Sequence, residues 1–78
     1  MIGFPFIKKI FKRVFELEEY NLELDSAFES VPGWDSLGHL ILISEIEENL
    51  GIEFDIEEII GVNTVQKIID LVNSKMTS

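Results

Sequence analysis

Asp35-Ser-Leu-Gly-His-Leu-Ile-Leu-Ile-Ser-Glu-Ile-Glu-Glu-Asn-Leu-Gly51 reads as one helix, and the rest of the chain can be placed around it. The Asp-Ser pair offers a capping start, no proline interrupts the run, and Gly51 suits the stop. With successive residues about 100° apart, the apolar side chains fall into two groups. Leu42, Ile43, Ile46 and Leu50 form a broad stripe suited to a core. Leu37, Leu40 and Ile41 form a second stripe, roughly opposite, shared with Ser44 and Glu48. One helix of so small a protein seldom buries both sides. The second stripe is therefore expected either to stand half-exposed for a partner or to lie under the preceding loop.

Beyond Gly51 the pattern stays helical. Asp55 and Glu58 have capping-box spacing, which predicts a short helix ending at Gly61, with Ile56, Ile59 and Ile60 left to pack. A last helix is expected from Asn63 or Thr64, because Val65, Ile68, Ile69 and Val72 recur on one face. Upstream, residues 20–35 show no sustained period and read as a long connection. Such a loop must be tied down. Leu22, Leu24, Phe28 and Val31 are its candidate anchors, and a short helical turn is expected near 26–29. Before it, residues 6–17 predict a helix in which Phe6, Ile7, Ile10, Phe11, Val14 and Phe15 share one side and the cations share the other. Pro5 suits its first turn. The expected fold is all-α: a single domain over 1–78, built as a small four-helix bundle of three longer helices and one short helix, with a long loop between the first two.

Composition narrows the function. A hydrophobic content of 46% excludes a disordered chain. Cysteine is absent, so any thiol chemistry has to arrive on a cofactor. The apolar start at 1–6 is interrupted by Lys8 and Lys9 too soon for a signal-peptide core, and no apolar run is long enough to span a bilayer. A soluble, cytoplasmic monomer that does not engage membranes is expected. The net charge is −9, and four of the six basic residues lie between Lys8 and Arg13. Residues 16–66 contain no Lys or Arg while holding nearly all the Asp and Glu. That field repels nucleic acid and attracts partners with basic patches.

Three chemistries compete. Asp35, Ser36 and His39 supply the residue types of a hydrolytic triad, but Asp35 would have to curl around the helix start to reach His39. Trp34 also stands where a nucleophile elbow needs glycine. His39 is better read as a polar residue at the bundle edge, beside the core stripe. The carboxylates between Glu45 and Glu58 are dense yet lack a calcium-loop pattern, so no metal site and no catalytic residue is expected. The third is attachment at Ser36, exposed at the positive end of a helix dipole. A phosphate there gains roughly 0.3–1 kcal/mol from the helix terminus. Ordinary helix capping accounts for the same Asp-Ser pair equally well.

Gly33-Trp34-Asp35-Ser36-Leu37 resembles the Gly-x-Asp-Ser-Leu signature of the acyl carrier proteins and the wider phosphopantetheine-binding carrier family. The likeness runs on through 38–51, whose Glu-Glu ending is similar to the family's second helix, and through Asn63-Thr64-Val65. The resemblance implies a freestanding carrier bearing covalent 4'-phosphopantetheine on Ser36, with Asp35 and Leu37 beside the attachment point. It implies that a phosphopantetheinyl transferase installs the arm from coenzyme A with Mg²⁺, and that Asp35 helps position metal and cofactor. The arm then carries acyl or aminoacyl thioesters between enzymes, and the domain itself catalyses nothing. Leu37, Leu40 and Ile41 would form the docking surface. Glu45, Glu47, Glu48, Glu57 and Glu58 would pair with Arg and Lys of the loading and transferring enzymes, each exposed pair contributing at most about 1 kcal/mol. Trp34 and His39 depart from the fatty-acid type and resemble carriers of specialised pathways. The readings that stand against this one are an aminoacyl or peptidyl carrier with the same attachment chemistry, and an unmodified acidic helical adaptor.

Overall fold

A computed structural model describes residues 1–77, and within them the chain forms four helices. They are α1 (Phe4–Phe15), α2 (Ser36–Leu50), α3 (Ile56–Gly61) and α4 (Val65–Thr77). The all-α bundle and its long loop match the sequence reading. Among the described residues no helix is long and apolar enough to cross a membrane.

The first helix starts two residues earlier than its period suggests, because Pro5 stands in its first turn with Gly3 as N-cap. It ends at Phe15, not Leu17. Glu16 turns left-handed (φ 54°, ψ 47°), and the N–H of Leu17 reaches back to the Lys12 carbonyl at 3.0 Å. Leu17 is still buried, but as part of the turn. The core is made by Ile7, Ile10 and Phe11 of α1, Leu42, Ile43 and Ile46 of α2, and Val65, Ile68, Ile69 and Val72 of α4. Asn73 clasps the two ends of the chain. Its Oδ1 accepts from the Ile2 N–H at 2.7 Å and its Nδ2 donates to the Ile2 carbonyl at 2.9 Å.

The loop between α1 and α2 is tied down differently from expectation. Leu22 and Val31 are buried and Phe28 is half-buried, but Leu24 lies exposed. No helical turn forms at 26–29. Instead the backbone there serves α4, whose first N–H groups have no helical acceptor. Val65 N–H donates to the Ser26 carbonyl at 3.1 Å, and Gln66 N–H donates to the Leu24 carbonyl at 2.9 Å. Phe28 N–H returns a bond to the Asn63 carbonyl at 2.8 Å, beside an isolated antiparallel bridge between Ala27 and Thr64. Thr64 Oγ1 accepts from Lys67 N–H at 3.2 Å and completes the cap. Leu24 thus anchors the loop through its carbonyl, and its side chain is left outside.

The short helix α3 is also less buried than its isoleucines suggest. Ile59 is half-buried, whereas Ile56 and Ile60 are exposed. Six residues make under two turns, enough to set one side chain inward and turn its neighbours to solvent. The start of α3 is fixed by Glu58 Oε1, which accepts from the Asp55 N–H at 2.8 Å, the return half of a capping box.

Candidate functional site

The site is built where the loop enters α2. Gly33 takes φ 86°, a conformation that glycine adopts without strain, and turns the chain toward Asp35. Asp35 is the N-cap of α2, and its Oδ1 accepts from the Gly38 N–H at 2.8 Å. Ser36 is the first helical residue and is exposed. The N–H groups of Ser36 and Leu37 precede the first helical acceptors, so they face outward beside the Ser36 hydroxyl. A bound phosphate there would meet N–H donors and the positive end of a 15-residue helix.

The apolar stripe of α2 is exposed, and it divides. Leu40 lines a cleft of about 330 Å³ together with Ser36, His39 and Phe28, closed on the far side by Ile59, Ile60 and Val62. Leu37 and Ile41 lie over the other flank, in a shallow depression with Val14, Phe15 and Gly33. Leu37 is 69% exposed and Ile60 is 75% exposed, so the apolar surface runs from α2 across the cleft onto α3.

The five carboxylates expected on the partner surface do not stand alike. Glu48 and Glu57 are exposed. Glu45 accepts from Arg13 Nη2 at 2.8 Å, tying α2 to α1. Glu47 Oε2 accepts from the Phe54 N–H at 2.8 Å and holds the connection to α3. Glu58 is paired with Lys75 at 2.8 Å. The hydrogen bond from Lys75 holds the Glu58 carboxyl below the ordinary carboxylate range, helped by the Asp55 N–H, and Glu58 in turn raises Lys75.

A depressed carboxyl contributes stability that is complete above its unfolded value and is lost as pH falls through the folded one; a raised lysine keeps its contribution until pH rises through its own. Lys75→Gln should therefore lower the Tm near neutral pH, and the gap to the native protein should close as pH falls below the ordinary carboxylate range. Thermal melts by circular dichroism across that range test this. A gap that persists unchanged at strongly acid pH would remove the pair as its cause.

Two residues beside Ser36 have roles that the helical pattern does not reveal. Trp34 is buried in the core and stacks edge-on against Phe11, with ring centroids 4.8 Å apart. Its indole Nε1–H donates to His39 Nδ1 at 2.8 Å. His39 is buried too, and its Nε2 lies 2.7 Å from the Ile59 carbonyl oxygen. Both ring nitrogens are thus engaged by Trp34 and Ile59, and His39, expected at the bundle edge beside the core stripe, is buried. A lone tryptophan in an aperiodic loop was the available signal for this buried pair.

Residues 5–72 match the family model described as phosphopantetheine attachment site. The acyl carrier protein of Buchnera aphidicola (strain 5A) is 38% identical over 69 residues, covering 88% of this chain and 86% of that protein. That of Treponema pallidum (strain Nichols) is 37% identical over 62 residues, 80% of each. Among solved structures, the solution NMR structure of the holo acyl carrier protein from Geobacter metallireducens superposes with a TM-score of 0.81 at 28% identity, over 95% of this chain and 88% of the other. The chain belongs to the phosphopantetheine-attachment family, and within it to the acyl carrier proteins. Proteins of this kind are carriers rather than catalysts.

Proposed function

We propose that Ser36 is the attachment residue and that this chain delivers acyl groups, as thioesters on a 4'-phosphopantetheine arm, to enzymes that dock beside it. The observation that carries the reading is the position of the Ser36 hydroxyl. It is exposed on the first residue of α2, next to helix N–H groups, and at the mouth of an apolar cleft. In the loading step the Ser36 oxygen attacks the phosphorus of coenzyme A that bears pantetheine. The pyrophosphate bond breaks, adenosine 3',5'-bisphosphate leaves with its electron pair, and the serine proton passes to a base of the transferase. Asp35 immediately precedes Ser36; its cap bond to Gly38 uses Oδ1, and its carboxylate would help the transferase position Mg²⁺.

Partners of basic surface would dock on Leu37, Leu40 and Ile41, with Ile56 and Ile60 extending the apolar area and Glu48 and Glu57 supplying charge. Weak, charge-steered encounters suit a carrier that must leave each enzyme in turn. No catalysis by the chain itself is part of this reading, since both nitrogens of His39 are already engaged, by Trp34 and Ile59. Work in the cytoplasm, where coenzyme A is at hand, belongs to the same proposal.

Intact mass tests it. Incubation with coenzyme A, Mg²⁺ and a broad-specificity phosphopantetheinyl transferase should add one phosphopantetheine to the native chain and none to Ser36→Ala. No gain on folded native protein, beside a working control carrier, would sink the proposal and leave an unmodified acidic adaptor in its place.

A further inference from the structure

His39 stands where the cleft beside Ser36 meets the interior of the bundle. Its ring is fixed at both ends. The Trp34 indole donates to Nδ1, so Nδ1 carries the lone pair, and Nε2 bears the proton given to the Ile59 carbonyl. That carbonyl lies in the last turn of a six-residue helix, which leaves it without a helical donor. The Phe28 ring stands edge-on to the imidazole with centroids 5.7 Å apart and completes the wall. Trp34, His39 and Ile59 thereby form a row of hydrogen bonds in which the His39–Ile59 bond spans the seam between α2 and α3.

We propose that this row sets the length of cargo, with His39 as the residue that fixes the depth of the cleft. The inference rests on attachment at Ser36. The cleft, of about 330 Å³, is small enough that only a chain of limited length fits short of this row. A longer chain has to part α2 from α3 at His39. Parting them strands the Ile59 carbonyl and the imidazole N–H in apolar surroundings, which opposes the gain from each further buried methylene. An apolar residue at position 39 makes no bond across the seam, so opening it there carries no such penalty. Cargo on this chain is accordingly short or medium in length, with an apolar body matched to Phe28, Leu40, Ile60 and Val62.

The test loads native protein and His39→Leu with chains from acetyl to myristoyl, using acyl-coenzyme A and the broad-specificity transferase. Intact mass confirms each loaded species. Failure to load would count against Ser36, whereas the length gate is read only on loaded protein. In the native chain the folding constant should rise by up to about fourfold per methylene, then level off within the series. In His39→Leu the rise should continue toward myristoyl. Overturning results are a native rise that continues unbroken, no rise at all, or a break at the same length in both proteins. If His39→Leu does not fold, the native protein still answers through its single tryptophan. The Trp34 indole N–H resonance should hold its position at every length, because chains beyond the break leave its bond to His39 closed. A shift that grows with chain length, showing that the row parts, overturns the gate.

Discussion

Trp34→Ala is expected to cost roughly 3–5 kcal/mol, the range for removing a large buried aromatic. Denaturant titration followed by far-ultraviolet circular dichroism would measure it. A domain of this size holds only about 5–10 kcal/mol in total, so the variant should be partly unfolded at physiological temperature. The size of the loss follows from what Trp34 does at once. It packs edge-on against Phe11 at 4.8 Å and Phe28 at 6.1 Å, and its indole N–H is the donor to His39 Nδ1. Its backbone also closes the loop, with its N–H on the Val31 carbonyl at 3.0 Å and its own carbonyl receiving the Glu29 N–H at 2.9 Å, bonds that alanine keeps. Trp34→Phe separates the contributions: it keeps a ring in the core and takes the indole donor away from the imidazole nitrogen, and should cost roughly 1–3 kcal/mol. Equal stability of Trp34→Ala and the native protein would show that the ring does not pack as described.

Gly38→Ala should destabilise the protein by about 1–3 kcal/mol, although helix propensity alone predicts a gain of up to about 1 kcal/mol. Gly38 is in the first turn of α2, and a Cβ there would collide with the Gly33 carbonyl oxygen and come within 2.9 Å of Phe15 Cε1. The first of these is backbone, so the loop itself has to move, and it is the loop that leads into Ser36. Gly61→Ala makes the control. Nothing lies within 4 Å of a Cβ at that position, so the same substitution should leave stability unchanged or raise it by up to about 1 kcal/mol. Paired thermal and urea unfolding of the two variants decides the matter. A gain at both glycines would mean that no close approach exists at Gly38.

The helices were legible because each repeats its message over several turns. In α1 and α4 the apolar residues return at every third or fourth place, and single errors average out. The two-sided character of α2 was legible for the same reason, but it left Leu37, Leu40 and Ile41 either half-exposed or under the loop; the structure leaves all three accessible. What escaped was carried by single contacts. Trp34 sits in a loop with no period, so only its own size, and no repeat around it, hints that it fills the core. Leu24 looks like an anchor by its side chain but serves through its carbonyl, which hydrophobicity cannot signal. The roles of Glu45, Glu47 and Glu58 depend on Arg13, Phe54 and Lys75, residues brought close only by the tertiary fold. A local pattern shows that a carboxylate is on the surface; it does not show which neighbour has already taken it.

The clasp between Ile2 and Asn73 imposes an order on how this chain acquires its structure. Its two partners are 71 positions apart, while the caps at Asp35, Asp55 and Thr64 join residues three apart. Local bonds close in the time a helix takes to form; a bond spanning nearly the whole chain waits until α1 and α4 already lie together. The clasp therefore belongs to the native side of the folding barrier. Its loss would hasten unfolding and leave the rate of folding almost untouched.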